Sequence, residues 1–101
     1  MNKITELTEE RGKDYGHPLD QFDTTGQMFK LWEKRRSGGK EIDPELENVL
    51  RHIAYLTIDK LVRSAENPHK QDNYDDIQGY SSLWEGCVEE LEKRKNENIT
   101  D

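Results

Sequence analysis

The chain has 101 residues, enough for one domain, of which 31% are hydrophobic and 37% charged. So lean an apolar content leaves two options, helices that stay partly solvated or a core completed by a partner subunit, and a homo-oligomer is the expected one. A net charge of −7 speaks against bulk binding to duplex DNA or RNA, the lone Cys87 excludes an internal disulfide and a CxxC metal site, and no apolar run reaches the roughly 18 residues of a membrane span.

The periodicity predicts four helices, no strand and no internal repeat: an all-α antiparallel helical hairpin or bundle forming a single domain over residues 1–95, with a frayed tail at 96–101. The first helix spans roughly Asn2 to Gly12, with Ile4 and Leu7 on one face. The start of the chain lacks the apolar stretch of a signal peptide, so a cytoplasmic location is expected. Two glycines and a proline within Gly12-Lys-Asp-Tyr-Gly-His-Pro18 mark a structured turn. The second helix is expected from Pro18 to about Arg36. Pro18 suits its first position, Leu19, Phe22, Phe29 and Trp32 form its apolar face, Gly26 is placed for close approach of another helix, and Lys34-Arg-Arg36 meets the negative end of the dipole. Ser37-Gly-Gly39 breaks it.

The third helix opens on Asp43-Pro-Glu-Leu-Glu47, with Asp43 as N-cap, and ends near Ala65. Its apolar face comprises Leu46, Val49, Leu50, Ile53, Leu56 and Leu61. The fourth is capped by Asp72 or Asn73 and runs to about Lys95, with Ile77, Tyr80, Trp84, Val88 and Leu91 as its stripe. Trp32, Trp84, Phe22 and Phe29 are read as core or interface, Cys87 as a small core residue, and His52 as solvated.

Lys60 carries the first functional signal. It falls inside the third helix's apolar arc, where a lysine must snorkel, pair with a buried acid or face a ligand. Arg63 follows one turn later, next to the loop that holds His69. Either Lys60 makes a structural ion pair with Asp76 while Arg63 stays in water, or the two cations form a phosphate pocket. Asp72 and Asp75 suit a helix N-terminus, whereas Asp76 sits beside Tyr80 and is aimed at the third helix, able to orient Lys60 or Arg63 or to share Mg²⁺ with another acid. In the turn, Tyr15 and His17 offer an aromatic face and a hydrogen-bonding edge beside Arg11 and Lys13; the alternative is a packed corner. Gly79 in mid-helix costs about 1 kcal/mol relative to alanine, which predicts close approach of a backbone or ligand next to Tyr80.

The set Arg11-x-Lys13-Asp-Tyr-Gly-His-Pro18, Phe22, Trp32, Lys60-Leu-Val-Arg63, His69, Asp72 and Asp76-Ile-Gln-Gly-Tyr80 resembles a small family from phages and prophages with a Tyr-Gly-His-Pro turn and an Asp-Ile-x-Gly-Tyr helix. That family is in turn similar to the all-α NTP pyrophosphohydrolases of the MazG and dimeric dUTPase type. The resemblance implies a MazG-like, helical, oligomeric, nucleotide-linked domain in the cytoplasm of an infected bacterial host. It also exposes a departure. Those enzymes hold Mg²⁺ with a Glu-x-x-Glu pair on one helix and a Glu-x-x-Asp pair on the next. Here the first position carries Lys60-x-x-Arg63, and the next helix carries Asp72 and Asp76 four apart or Asn73 and Asp76 three apart. Glu6 with Glu9 or Glu10 is the other candidate pair. Lysine and arginine bind phosphate oxygens directly, whereas a metal needs carboxylates.

The expected function is therefore non-catalytic binding of a phosphorylated nucleotide or nucleotide messenger, withheld from host defence. Arg11, Lys13, Lys60, Arg63 and His69 would face phosphates, Tyr15, His17 and Tyr80 the base or ribose, and Asp72 and Asp76 would orient the cations. No metal and no cofactor is expected on this reading. The alternatives are a Mg²⁺-dependent nucleotide pyrophosphohydrolase using Asp72, Asp76 and Glu10, and a helical interaction module that binds no nucleotide.

Overall fold

The computed structural model describes residues 16–100, with side chains to residue 97. The predicted first helix lies outside the described residues. The other three predicted helices are present as α1 (Pro18–Ser37), α2 (Pro44–Glu66) and α3 (Gln71–Thr100), and no strand occurs among the described residues.

Local chemistry sets the ends of α1. Gly16 adopts φ +74°, a left-handed conformation that disfavours any side chain. It delivers His17 to the N-cap position, where Nδ1 of His17 accepts a hydrogen bond from the Leu19 N–H at 3.0 Å. Pro18 then begins the helix with φ already fixed and no N–H to satisfy. At the other end Gly38 and Gly39 close the last turn by donating to the carbonyls of Arg35 and Arg36. A Cβ on Gly39 would stand 2.6 Å from the Arg36 guanidinium, which would have to shift to admit it.

Helix α2 begins where Asp43-Pro44 predicts, but the Asp43 carboxylate makes no cap hydrogen bond. It pairs with Lys95 on α3, and the Asp43 carbonyl accepts from the Glu47 N–H at 2.9 Å. The α3 helix starts at Gln71, ahead of both expected caps, and its backbone stays helical to Thr100 rather than ending near Lys95.

Connections of a few residues make α2 antiparallel to both neighbours. Gln21 near the start of α1 meets Asp59 late in α2, and Arg36 at the end of α1 meets Glu47 early in α2. Likewise Lys60 meets Asp76, while Asp43 meets Lys95. Both outer helices pack on α2, and their backbones do not approach each other among the described residues. Phe29 ties the α1–α2 seam, stacked on Trp32 at 5.6 Å and edge-on to Tyr55 at 5.5 Å.

The inward face of α1 is not the expected one. Leu19 and Phe22 are 69% and 58% exposed, whereas Gln21 and Thr25 are buried. The phase that places Trp32 and Phe29 inward runs back through Thr25 and Gln21 at intervals of four, so polar residues continue the stripe that an apolar count misassigns. On α2 the buried residues are Ile58 and Val62, while Leu61 is 47% exposed. Cys87 is half-buried, and Trp84 is 42% exposed. His52 faces solvent. A Cβ on Gly26 or Gly79 would meet nothing within 4 Å, so neither marks a close approach among the described residues. No helix among the described residues is long and apolar enough to cross a membrane.

Candidate functional site

At the end of the fold where the first half of α1 and the first turns of α3 each pack on the last turns of α2, the interior is polar. The fully buried side chains there are Thr25 and Asn73, each 1% exposed. A helical protein that fills its interior with an amide, a hydroxyl and charges gives up hydrophobic stabilisation, so these groups must satisfy one another or serve something else.

Asp59 is the fixed point. Its Oδ1 accepts from Gln21 Nε2 at 3.2 Å and Thr25 Oγ1 at 3.4 Å, and its Oδ2 faces Arg63 Nε at 3.3 Å. The side chains of Asp59 and Arg63 are 18% and 20% exposed. One carboxylate thus joins α1 to α2 and holds the guanidinium in place from the preceding turn. Arg63 is drawn inward and paired, in contrast to the solvated arginine that one sequence reading allowed.

Lys60 behaves differently. Its ammonium meets Asp76 Oδ2 at 2.6 Å, with Lys60 only 13% exposed and Asp76 42% exposed. Asp76 points at α2 and pairs with Lys60, the ion pair that the structural reading of Lys60 names. Asn73 lies one turn before Asp76 on the same face of α3. Neither polar atom of its amide has a hydrogen-bond partner. Tyr80, four residues after Asp76, continues that stripe and is half-buried.

The remaining predicted site residues do not join this group. His17 caps α1 through its Nδ1, a local structural task. His69 is exposed in the α2–α3 connection, which Tyr74 braces by donating its hydroxyl to the Pro68 carbonyl. Asp72 is exposed in the first turn of α3. Arg11, Lys13 and Tyr15 lie outside the described residues, as do Glu6, Glu9 and Glu10. Among the described residues no three His, Cys, Asp or Glu side chains gather as metal ligands. Sequence reasoning missed Gln21, Thr25 and Asp59. Their signal was available: Asp59 precedes Arg63 by one turn, and Gln21 and Thr25 hold the inward phase of Trp32.

The opposite end of the α1–α2 seam carries a second charged group. Glu47 receives Arg36 at 3.0 Å and Arg51 at 3.2 Å, and Arg51 also reaches Glu33 at 2.9 Å. The Arg36 hydrogen bond, assisted by the charge of both arginines, holds the Glu47 carboxyl below its ordinary value. Every cation here is bound to an acid or a carbonyl of its own chain, as befits a clamp between helices.

Between α1 and α3, with α2 as its floor, runs an open apolar groove of about 360 Å³. Its walls include Trp32 from α1 and Ile77 and Trp84 from α3, and Ile53 and Thr57 lie on the floor. Lys60 follows Thr57 by three residues, about 4.5 Å along the helix, and Asp76 directly precedes Ile77. The groove therefore runs up to the Lys60–Asp76 pair.

The chain belongs to the domain of unknown function DUF6378, whose match covers residues 1–88. No curated protein and no solved structure matches it.

Proposed function

We propose that this chain binds a small phosphorylated nucleotide without hydrolysing it, at the polar end of the three-helix fold. One observation carries this reading: Lys60, almost enclosed, is neutralised by a carboxylate that is itself 42% exposed. A phosphate oxygen offers Lys60 the same charge-assisted hydrogen bond that Asp76 gives it, and Asp76 can return to water at little cost. Asp59, held by hydrogen bonds from Gln21 and Thr25 and paired with Arg63, stays in place and keeps the guanidinium positioned as phosphate approaches. The open amide of Asn73 adds both a donor and an acceptor to the same end of α3.

The resemblance to MazG-type enzymes supports a nucleotide rather than a bare phosphate, and Lys60 and Arg63 in place of a glutamate pair support binding over metal-dependent cleavage. Among phage proteins, such a binder would withhold a nucleotide messenger from host defence, as a cytoplasmic protein without a metal or cofactor of its own.

The test compares the wild-type chain with a Lys60→Ala/Asp76→Ala double variant, which removes both members of the pair and leaves no stranded charge. Calorimetric titration against linear and cyclic nucleotides is expected to show binding to the wild type, weakened by about tenfold or more in the variant, with unchanged helical circular dichroism. Equal affinity in both proteins would overturn the assignment. Product formation abolished by EDTA would establish the pyrophosphohydrolase instead, and no binding by the wild type to any nucleotide would leave the interaction module.

A further inference from the structure

Resting on the nucleotide reading above, we propose that the base of the ligand stacks over Gly26, between the rings of Phe22 and Phe29 on α1. Gly26 is the anomaly. Glycine is, after proline, the least favourable residue for a helix interior, and where it stands there it commonly admits something close to the backbone. Gly26 lies half-buried in the middle of α1, yet a Cβ on it would meet nothing within 4 Å among the described residues. Neither α2 nor α3 fills the space over it.

The neighbours give that space its shape. Phe22, Gly26 and Phe29 recur at helical spacing and share one face of α1. The two phenylalanines stand two turns apart, about 10.5 Å along the axis. A flat ring midway would lie about 5 Å from each, within the roughly 4.5–7 Å at which aromatic rings pair. Phe29 already stacks on Trp32 at 5.6 Å, so the slot would extend an existing stack by one ring. Phe22 is 58% exposed, and Tyr55, edge-on to Phe29, is 47% exposed. These large rings are reachable by a ligand from solvent.

The slot adjoins the polar site. On α2, Tyr55, Asp59 and Arg63 follow at intervals of four, so one face carries an aromatic ring, a carboxylate and a guanidinium in succession. Tyr55 meets Phe29, and Asp59 accepts from Thr25, the residue before Gly26. A base over Gly26 therefore lies level with Asp59, and its phosphates have about one turn to cross to Arg63 and to Lys60, the residue after Asp59. Stacking grips the flat face that every base has and ignores its edge. The site thus selects nucleotides over inorganic phosphates, and not one base over another.

The test is calorimetric titration of the full chain with ATP, UTP and 3′,5′-cyclic AMP, each against the inorganic triphosphate or phosphate that it contains. The wild type should bind nucleotide about tenfold or more tighter than the inorganic anion. Gly26→Leu fills the slot with a better helix former, so its melting temperature should hold or rise while the preference for nucleotide disappears. Phe22→Ala, which removes an exposed ring, should weaken nucleotide by about fivefold or more without weakening the anion, and it carries the test if Gly26→Leu fails to fold. A folded variant of either kind that binds nucleotide as the wild type does would overturn the stacking site and leave the phosphate site standing. So would a wild type that binds nucleotide no tighter than the anion, or a variant that loses both equally. A wild type that binds neither probe would instead refute the nucleotide reading itself.

Discussion

Replacing Asp59 with alanine probes the polar interior most sharply. The carboxylate accepts from Gln21 and Thr25 and pairs with Arg63. Its loss removes an acceptor from two buried side chains and leaves a guanidinium only 20% exposed without this counter-charge. A stranded buried polar group costs about 1–3 kcal/mol, and removing one member of a buried ion pair about 3–5 kcal/mol. These costs overlap, and the pair is reached by some water, so a total of about 2–4 kcal/mol is expected. At about 4–8 °C per kcal/mol for a domain near this size, the melting temperature should fall by about 8–30 °C. Asp59→Asn keeps an acceptor for Gln21 and Thr25 and loses only the charge, so it should cost about half as much. Thermal and urea unfolding by circular dichroism, at one fixed protein concentration, measures both. An Asp59→Ala variant within about 0.5 kcal/mol of wild type would refute the claim that this carboxylate organises the α1–α2 seam.

Asp76→Ala strands the Lys60 ammonium, only 13% exposed, and should cost about 1–3 kcal/mol of stability while tightening phosphate binding by freeing Lys60; a titration showing weaker binding would contradict the exchange mechanism. Gly16→Ala should cost about 1 kcal/mol or more, read from the shift in thermal midpoint, because φ +74° penalises a Cβ. Acid titration of stability should locate the Glu47 clamp. Since the folded carboxyl sits below its ordinary value of 4.5, its contribution is complete above that pH and is lost as the pH falls through the lowered value. Glu47→Gln should flatten that limb and leave the neutral-to-basic limb unchanged.

The three described helices were legible because strong boundary chemistry marks them: Pro18 and Pro44 at helix starts, paired glycines at 38 and 39. The Lys60–Asp76 pairing was also legible, since a lysine inside an apolar arc needs a carboxylate and Asp76 is the inward acid of the next helix. The facing of α1 was not. A periodicity count weighs Leu19 and Phe22 as inward by their hydrophobicity, yet the interior they would have entered is polar and selects Gln21 and Thr25. Asp43 does hold the N-cap position of α2, but its carboxylate turns to Lys95, a partner that local sequence does not reveal. His17 was read as a ligand-facing edge from its company, whereas its imidazole nitrogen is within reach of the N–H two residues on.

Binding without turnover is most directly tested by recovering the ligand. The purified protein is incubated with linear and cyclic nucleotides, with and without Mg²⁺, separated from free ligand, denatured, and the released molecules identified by mass spectrometry. Intact nucleotide, retained by the wild type and lost from the Lys60→Ala/Asp76→Ala variant, is the predicted result. Nucleotide released as a cleaved product only when Mg²⁺ is present, or no nucleotide released at all, would contradict it.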